Sequence, residues 1–398
     1  MASSKWKNFQ EINEILVKKK LVIWGASNWV EPTLESISSN AEFIIDTNPS
    51  NHGIRFQNLL VKPYSKKDLK NKSFFIVICT GNYQSLADDL VSQGYEMGED
   101  FCVTPLLEDR AKKDALLEFN EKILFASPQH KFEEKSGGGV YLFDLNEKIE
   151  KKVYNGKCRS VVKYKNKYAV INMLTGIVII DKNYNVCKEI KLPRNCEPHG
   201  LFYDETNNLF FIGCPGQDCV LSVSENGDIV NKFNISNKSK FNTSDNHHIN
   251  DIYVKNDSLF VSMFSVTGNW SNECYDGGVV EFSISSGEKI GTLWDGLWMP
   301  HSITRHQSQL YILDSMTGTL KSSNNQINIK FPGFARGLSF CENFAGIGIS
   351  SHRYPEKLKF TDYPALMNAG IFIVDLNTQM TVFYNIKQTE TIHSLIFI

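Results

Sequence analysis

Six short segments of the chain carry a polar residue able to ligate or donate, then a small or acidic residue, then an apolar one. They are Arg159-Ser-Val, His199-Gly-Leu, Asn250-Asp-Ile, His301-Ser-Ile, Arg336-Gly-Leu and His393-Ser-Leu, at intervals of 40, 51, 51, 35 and 57 residues. His248 lies two residues before Asn250, and the period of a strand puts it on the same side. Imidazole is a common ligand for Zn, Mn, Fe and Ni, and three imidazoles with one open position make a catalytic zinc pattern. Arginine beside such a centre clamps a carboxylate or phosphate. On this reading His199, His248, His301 and His393 hold a divalent metal. Arg159 and Arg336 hold an anionic substrate group, Asn250 stands beside them, and His393 is alternatively a base. The chemistry would be that of a lyase, hydrolase or isomerase, with the metal as Lewis acid and a bound water or spare imidazole as base. Two other readings of the same residues stay open: a metal-free mouth for an anion or sugar, and structural polarity alone.

Such residues need elements that converge. Five of the six segments are followed eight to ten residues later by a second apolar run: Tyr168-Ala-Val, Leu209-Phe-Phe, Leu259-Phe-Val, Leu310-Tyr-Ile and Phe344-Ala-Gly. Four strands per unit at this period is the pattern of a β-propeller blade. The sixth unit, His393-Ser-Leu-Ile-Phe-Ile398, has room for one strand, and its other three are found at 123–126, 140–144 and 152–154. Gly139-Val-Tyr-Leu-Phe-Asp is similar to Gly278-Val-Val-Glu-Phe and Gly370-Ile-Phe-Ile-Val-Asp. The sequence therefore predicts an all-β six-bladed propeller over 122–398, closed by pairing of 393–398 with 122–155. Closure removes exposed sheet edges. The six repeat starts would meet at one channel mouth. Its walls would be the loops 127–138, 264–277 and 351–369, which carry His130, Trp270, Glu273, Tyr275, His352 and Arg353.

The first 106 residues have a different texture. Leu21-Val-Ile-Trp24, Phe43-Ile-Ile45 and the run 74–79 are short apolar strands separated by helix-like stretches, which implies a Rossmann-like α/β domain. Residues 107–121 read as a linker helix. Gly25-Ala-Ser-Asn-Trp-Val follows the first strand, where a dinucleotide fingerprint would lie, but carries only the first glycine, with Ser27 and Val30 at the other two places. Asp46 ends the second strand, 21 residues later, where it could accept from a ribose hydroxyl. NAD redox chemistry is not expected. Gly25, Ser27, Asp46 and Gly81 are the candidates for a nucleotide or nucleotide-sugar site, and docking or oligomerisation is the alternative for this domain.

Composition sets outer limits. The chain has 398 residues, is 42% hydrophobic and 22% charged, and carries a formal charge of −2, which excludes a whole-chain basic footprint for nucleic acid. No apolar run is long enough to span a membrane, and MASSKWKNFQEINEIL lacks the apolar centre of a signal peptide. The nine cysteines form no C-x-x-C pair and are expected to be reduced thiols of a cytoplasmic protein.

The stretches LVIWGASNWVEP, FIIDTNPSNHGIRFQNLLVKP and FFIVICTGNYQSLADDLVSQGYEMGEDF resemble the Rossmann-like domains attached to bacterial sugar-modifying enzymes. Among these are the nucleotide-sugar-binding domain of bacillosamine-type acetyltransferases and the C-terminal domain of some sugar methyltransferases. MPHSITRHQSQLYILDSMTGTL and PGFARGLSFCENFAGIGISSHR resemble a bacterial propeller family known only as a domain of unknown function. The pairing implies bacterial surface-glycan metabolism, and with the metal reading of the repeat-start histidines the expectation is a metal-dependent enzyme of surface-glycan or nucleotide-sugar modification, acting on a small sugar or nucleotide sugar. The alternative is a non-catalytic sugar-binding or scaffold protein of a glycan-assembly complex.

Overall fold

The apolar runs near the N-terminus become parallel strands because both their faces are covered. In the computed structural model, which describes residues 6–65, 73–129, 138–238, 245–361 and 364–398, the chain divides into two units, 1–115 and 116–398. The first contains β1 (Lys20–Trp24), β2 (Ala41–Asp46), β3 (Arg55–Phe56), β4 (Leu59–Pro63), β5 (Phe74–Ile78) and β6 (Phe101–Val103), in the sheet order β3-β4-β2-β1-β5-β6. β3 pairs antiparallel with β4, and every other neighbour is parallel. The sheet is therefore mixed, where the sequence suggested a parallel one. Alternate residues of β1 serve opposite faces. Leu21 and Ile23 pack with Ile12 and Leu16 of α1 (Phe9–Leu16) and with Val30 and Leu34 of α2 (Val30–Ser36). Val22 and Trp24 pack with Leu86 and Leu90 of α3 (Tyr83–Ser92). A fourth helix, α4 (Glu108–Leu117), contains the division between the units.

The second unit is a six-bladed β-propeller. Each blade is a four-stranded antiparallel sheet, and the blades span 158–190, 201–234, 249–297, 300–330, 334–385 and, for the sixth, 122–155 together with Ser394–Phe397. In the sixth blade Ser394 pairs with Ala126, Leu395 with Phe125, Ile396 with Leu124 and Phe397 with Ile123. The C-terminal strand is thus the inner strand of a sheet whose other three strands come from the other end of the array.

The second residue of each repeat start has a structural task. In four of the six inner strands the register shifts at the motif, between Cys158 and Ser160, Ile249 and Ile252, His301 and Thr304, and Ala335 and Leu338. Ser302 (φ 61°) and Gly337 (φ 74°) sit in left-handed backbone there. The Ser302 amide donates to Asp251 Oδ2 at 2.6 Å, and the Gly337 amide donates to Ser302 Oγ at 2.8 Å. Ser394 Oγ accepts from the Val161 amide and donates to its carbonyl. These bonds join blade 3 to 4, 4 to 5 and 6 to 1. Only short side chains fit, and a Cβ on Gly337 would lie 3.1 Å from the Leu395 nitrogen. A cavity of about 120 Å³ runs past Asp251, Ser302 and Ser394.

Cys196 and Cys214 form a disulfide, with Cα atoms 4.8 Å apart and a sequence separation of 18. This corrects the expectation of nine free thiols. The bond ties the segment leading to His199 to the end of strand Leu209–Cys214. Among the described residues no helix is long and apolar enough to cross a membrane.

Candidate functional site

Each repeat start opens an inner strand, so the first residue of each motif stands at the same level of the ring. His199, Asn250, His301, Arg336 and His393 are buried there, and Arg159 and His248 are half-buried. Ring contacts make a continuous arc around the mouth. The His199 ring lies 5.2 Å from His248, which packs 4.5 Å from Phe264 and 4.7 Å from Trp270. Phe264 lies 5.2 Å from His301, and His301 lies 5.8 Å from Phe334. The Arg336 guanidinium covers Phe334 at 4.7 Å and donates to His393 Nε2 at 2.8 Å.

Hydrogen bonds fix the roles of the ring nitrogens. Asn250 Nδ2 donates to the His248 carbonyl, which leaves its Oδ1 to accept from His199 Nδ1 at 3.3 Å. Asn250 thus bonds both the His199 ring and the His248 backbone. Ser315 donates to the Ala335 carbonyl, so His301 Nδ1 carries the proton shared with Ser315 Oγ (2.7 Å) and the Met299 carbonyl (2.9 Å). The lone pair of His301 is then on Nε2. His393 also carries its lone pair on Nε2, but there it is occupied by the Arg336 guanidinium. His248 Nδ1 meets the Asp245 carboxylate, and the lone pair of that ring is on Nε2.

Burial holds the pKa values of His199, His301 and His393 well below the ordinary imidazole value, helped by the positive charges of Arg159 and Arg336. The guanidiniums are strained in turn. Burial and the neighbouring Arg353 bring Arg159 down to about 10 and lower Arg336 well below its ordinary value. Arg159 Nε donates to Met173 Sδ, and among the described residues neither Arg159 nor Arg336 has a carboxylate at ion-pair distance. Below them, burial raises the Asp251 carboxyl to about 6 against the pull of the Ser302 amide and both arginines.

The four imidazoles expected to share a metal do not gather as ligands. Among the described residues no group of three or more His, Cys, Asp or Glu side chains is placed to hold an ion. His393 is bonded to Arg336, and two guanidiniums stand where a divalent cation would feel their repulsion.

Of the wall residues, Trp270 and Tyr275 pack against each other at 5.4 Å, and His352 lies 5.9 Å from Phe334. Glu273 and Arg353 are exposed. His130 lies outside the described residues. His247 faces away from the mouth and binds the fully buried Asp218 through Nδ1 at 2.7 Å and through its amide.

Sequence reasoning missed Asp245, Asp251, Phe264, Trp298, Ser315 and Phe334. A carboxylate three residues before His248 was the one local signal for Asp245.

The four N-terminal candidates are engaged by their own chain. Asp46 accepts from the amides of Ala26 (2.6 Å) and Asn48 (2.7 Å) and from Asn51 Nδ2 (3.0 Å). Ser27 donates to the Cys79 carbonyl at 2.6 Å. Gly25 (φ 106°) lets its loop pack on the next one, since a Cβ there would lie 2.7 Å from Thr80 Cβ. The Arg110 guanidinium covers Gly81.

No curated protein matches the chain. Among solved structures, a protein of unknown function from Bacteroides caccae is similar over 70% of this chain and 99% of its own, at 14% identity and a TM-score of 0.50. A streptogramin B lyase aligns over 70% of this chain and 86% of its own, at 11% identity and a TM-score of 0.41. The virginiamycin B lyase of Staphylococcus aureus aligns over 64% and 80%, at 13% identity and a TM-score of 0.38. Likeness at these identities is one of fold. The model of the family described as "Domain of unknown function (DUF4915)" matches residues 140–397, more than half of the chain and most of the propeller, and the chain belongs to that family.

Proposed function

We propose that the propeller mouth binds a small anionic molecule and acts on it by moving a proton. The observation that carries this reading is the pair Arg159 and Arg336. These are two desolvated guanidiniums from blades 1 and 5, with no carboxylate at ion-pair distance among the described residues, facing imidazoles that are held neutral. Buried charge is costly unless compensated, and a bound carboxylate or phosphate supplies the compensation. Arginine is suited to it because its planar donors match two oxygens at once.

His248 is the base of this reading. The Asp245 carboxylate at Nδ1 fixes its tautomer and makes Nε2 the proton acceptor. His301, with Nδ1 held by Met299 and Ser315, offers a second Nε2 across Phe264. A proton leaving the ligand would pass to one of these nitrogens, and the negative charge left behind would face the guanidiniums.

The test is titration of the full chain with inorganic phosphate and with small carboxylates, followed by tryptophan fluorescence, since Trp270 and Trp298 belong to the mouth cluster. Saturable binding is expected, weakened at least tenfold in Arg336→Met. No saturable binding of any anion would defeat the reading.

A further inference from the structure

We infer that the anion is borne on a sugar ring, so that the ligand is an acidic sugar of the uronate class. The inference rests on the anion reading of the mouth and adds to it.

Three buried nitrogens here have no hydrogen-bond partner among the described residues: Arg336 Nε, His352 Nε2 and Trp298 Nε1. All three are donors. Guanidinium and indole N–H groups never accept. His352 Nδ1 accepts from the Tyr354 amide at 3.2 Å, which places the ring proton on Nε2. His352 and Arg336 are 5% and 3% exposed, too buried to be satisfied by bulk solvent. A buried donor left without an acceptor is costly, and three in one wall call for a partner rich in acceptors.

They do share one wall. Arg336, His352 and Tyr354 all contact the Phe334 ring, at 4.7, 5.9 and 6.1 Å. Trp298 lies 6.3 Å from Tyr275, in the same apolar cluster as Phe334, Tyr354 and Trp270. The wall therefore combines aromatic faces with N–H groups at separate points. An aromatic acid would stack on these rings but carries its acceptors at one end. Inorganic phosphate has acceptors but no face to stack. A pyranose ring presents C–H faces to aromatic rings and oxygens around its edge, and a carboxylate on it meets the arginines.

The experiment is calorimetric titration of the full chain with D-glucuronate, its methyl ester, D-glucose, benzoate and inorganic phosphate. Glucuronate should bind at least tenfold more tightly than each of the others. Trp298→Phe keeps an aromatic ring and deletes the donor, and His352→Phe deletes the second donor together with the acceptor of the Tyr354 amide. Each should weaken glucuronate at least threefold and leave phosphate within twofold. Phosphate or benzoate binding as well as glucuronate would overturn the sugar inference and leave the anion reading standing. The methyl ester or glucose binding as well as glucuronate would overturn the anion reading. If no ligand binds, both fall. Should His352→Phe not fold, Trp298→Phe decides alone.

Discussion

Arg336 and His393 come from blades 5 and 6, are 57 residues apart in sequence, and share a 2.8 Å hydrogen bond from Nη1 to Nε2 with no carboxylate between them. A cation bonded to a neutral base is a poor way to stabilise a fold, because burial and the nearby Arg353 and Arg159 disfavour the charge and hold the guanidinium pKa well below its ordinary value.

Arg336→Met should therefore not collapse the propeller. It removes a buried charge and leaves His393 Nε2 without its donor, two effects of about 1–3 kcal/mol that oppose each other. The expected melting temperature lies within a few degrees of the wild type, while anion affinity falls tenfold or more. Scanning calorimetry beside the binding titration checks both, and a large loss of stability would mean that the guanidinium is structural.

Stability should fall on acidification from pH 7.5 to 5. His199, His301 and His393 stay neutral in the folded state because their pKa values are lowered, whereas the unfolded chain protonates near the ordinary imidazole value. The unfolded state then binds more protons, at about 1.4 kcal/mol per pH unit for each such group below about pH 6.5. Urea midpoints at the two pH values measure the loss. Equal midpoints would show that the imidazoles titrate as in water.

Asp251 works in the opposite sense. Its folded pKa is raised to about 6, so its contribution is present below the unfolded carboxylate value and is lost as pH rises through about 6. Asp251→Asn keeps an acceptor for the Ser302 amide and should be at least as stable as the wild type at pH 7.5, with less advantage at pH 5. Asp251→Ala orphans that amide and should cost about 1–3 kcal/mol at both. Asp251→Asn melting well below the wild type at pH 7.5 would contradict the shift.

Deleting 393–398 removes the inner strand of blade 6 and exposes the edge at Ile123–Ala126. Insoluble or grossly destabilised protein is expected. A truncated chain that melts within a degree or two of the full-length one would rule out closure by this pairing.

Denatured but unreduced protein should titrate with seven thiols, not nine, because Cys196 and Cys214 are paired. Reducing a bond that closes a loop of this size should cost about 3 kcal/mol of stability. Nine reactive thiols in unreduced protein would show the pair to be open.

The propeller and the mouth were legible because both are written as a repeat. A polar residue at each inner-strand start is visible without knowing any contact, whereas His248 lies just before its strand in left-handed backbone, which strand alternation does not describe. The second motif residue was equally visible, but its reason was not. That Ser302 and Gly337 accept and donate between blades depends on a register shift, and register across a ring is not a local property of sequence. The pairing of His393 with Arg336 was hidden for the same cause. In the N-terminal unit, Asp46 stands where a ribose-binding carboxylate would, and it also accepts from the amides of Ala26 and Asn48. Spacing locates a carboxylate; only the folded loop shows whether its lone pairs are free.

The bonds at Asp251, Ser302, Gly337 and Ser394 join neighbouring blades through the second residue of the motif, so the first residue is not the sole link between blades. Arg, His or Asn can stand there on the same scaffold, as the six repeats of this one chain already demonstrate. The ring behaves like a socket with interchangeable pins. A relative could acquire a different ligand by exchanging single residues at 159, 199, 250, 301, 336 or 393, with the frame that aims them unchanged.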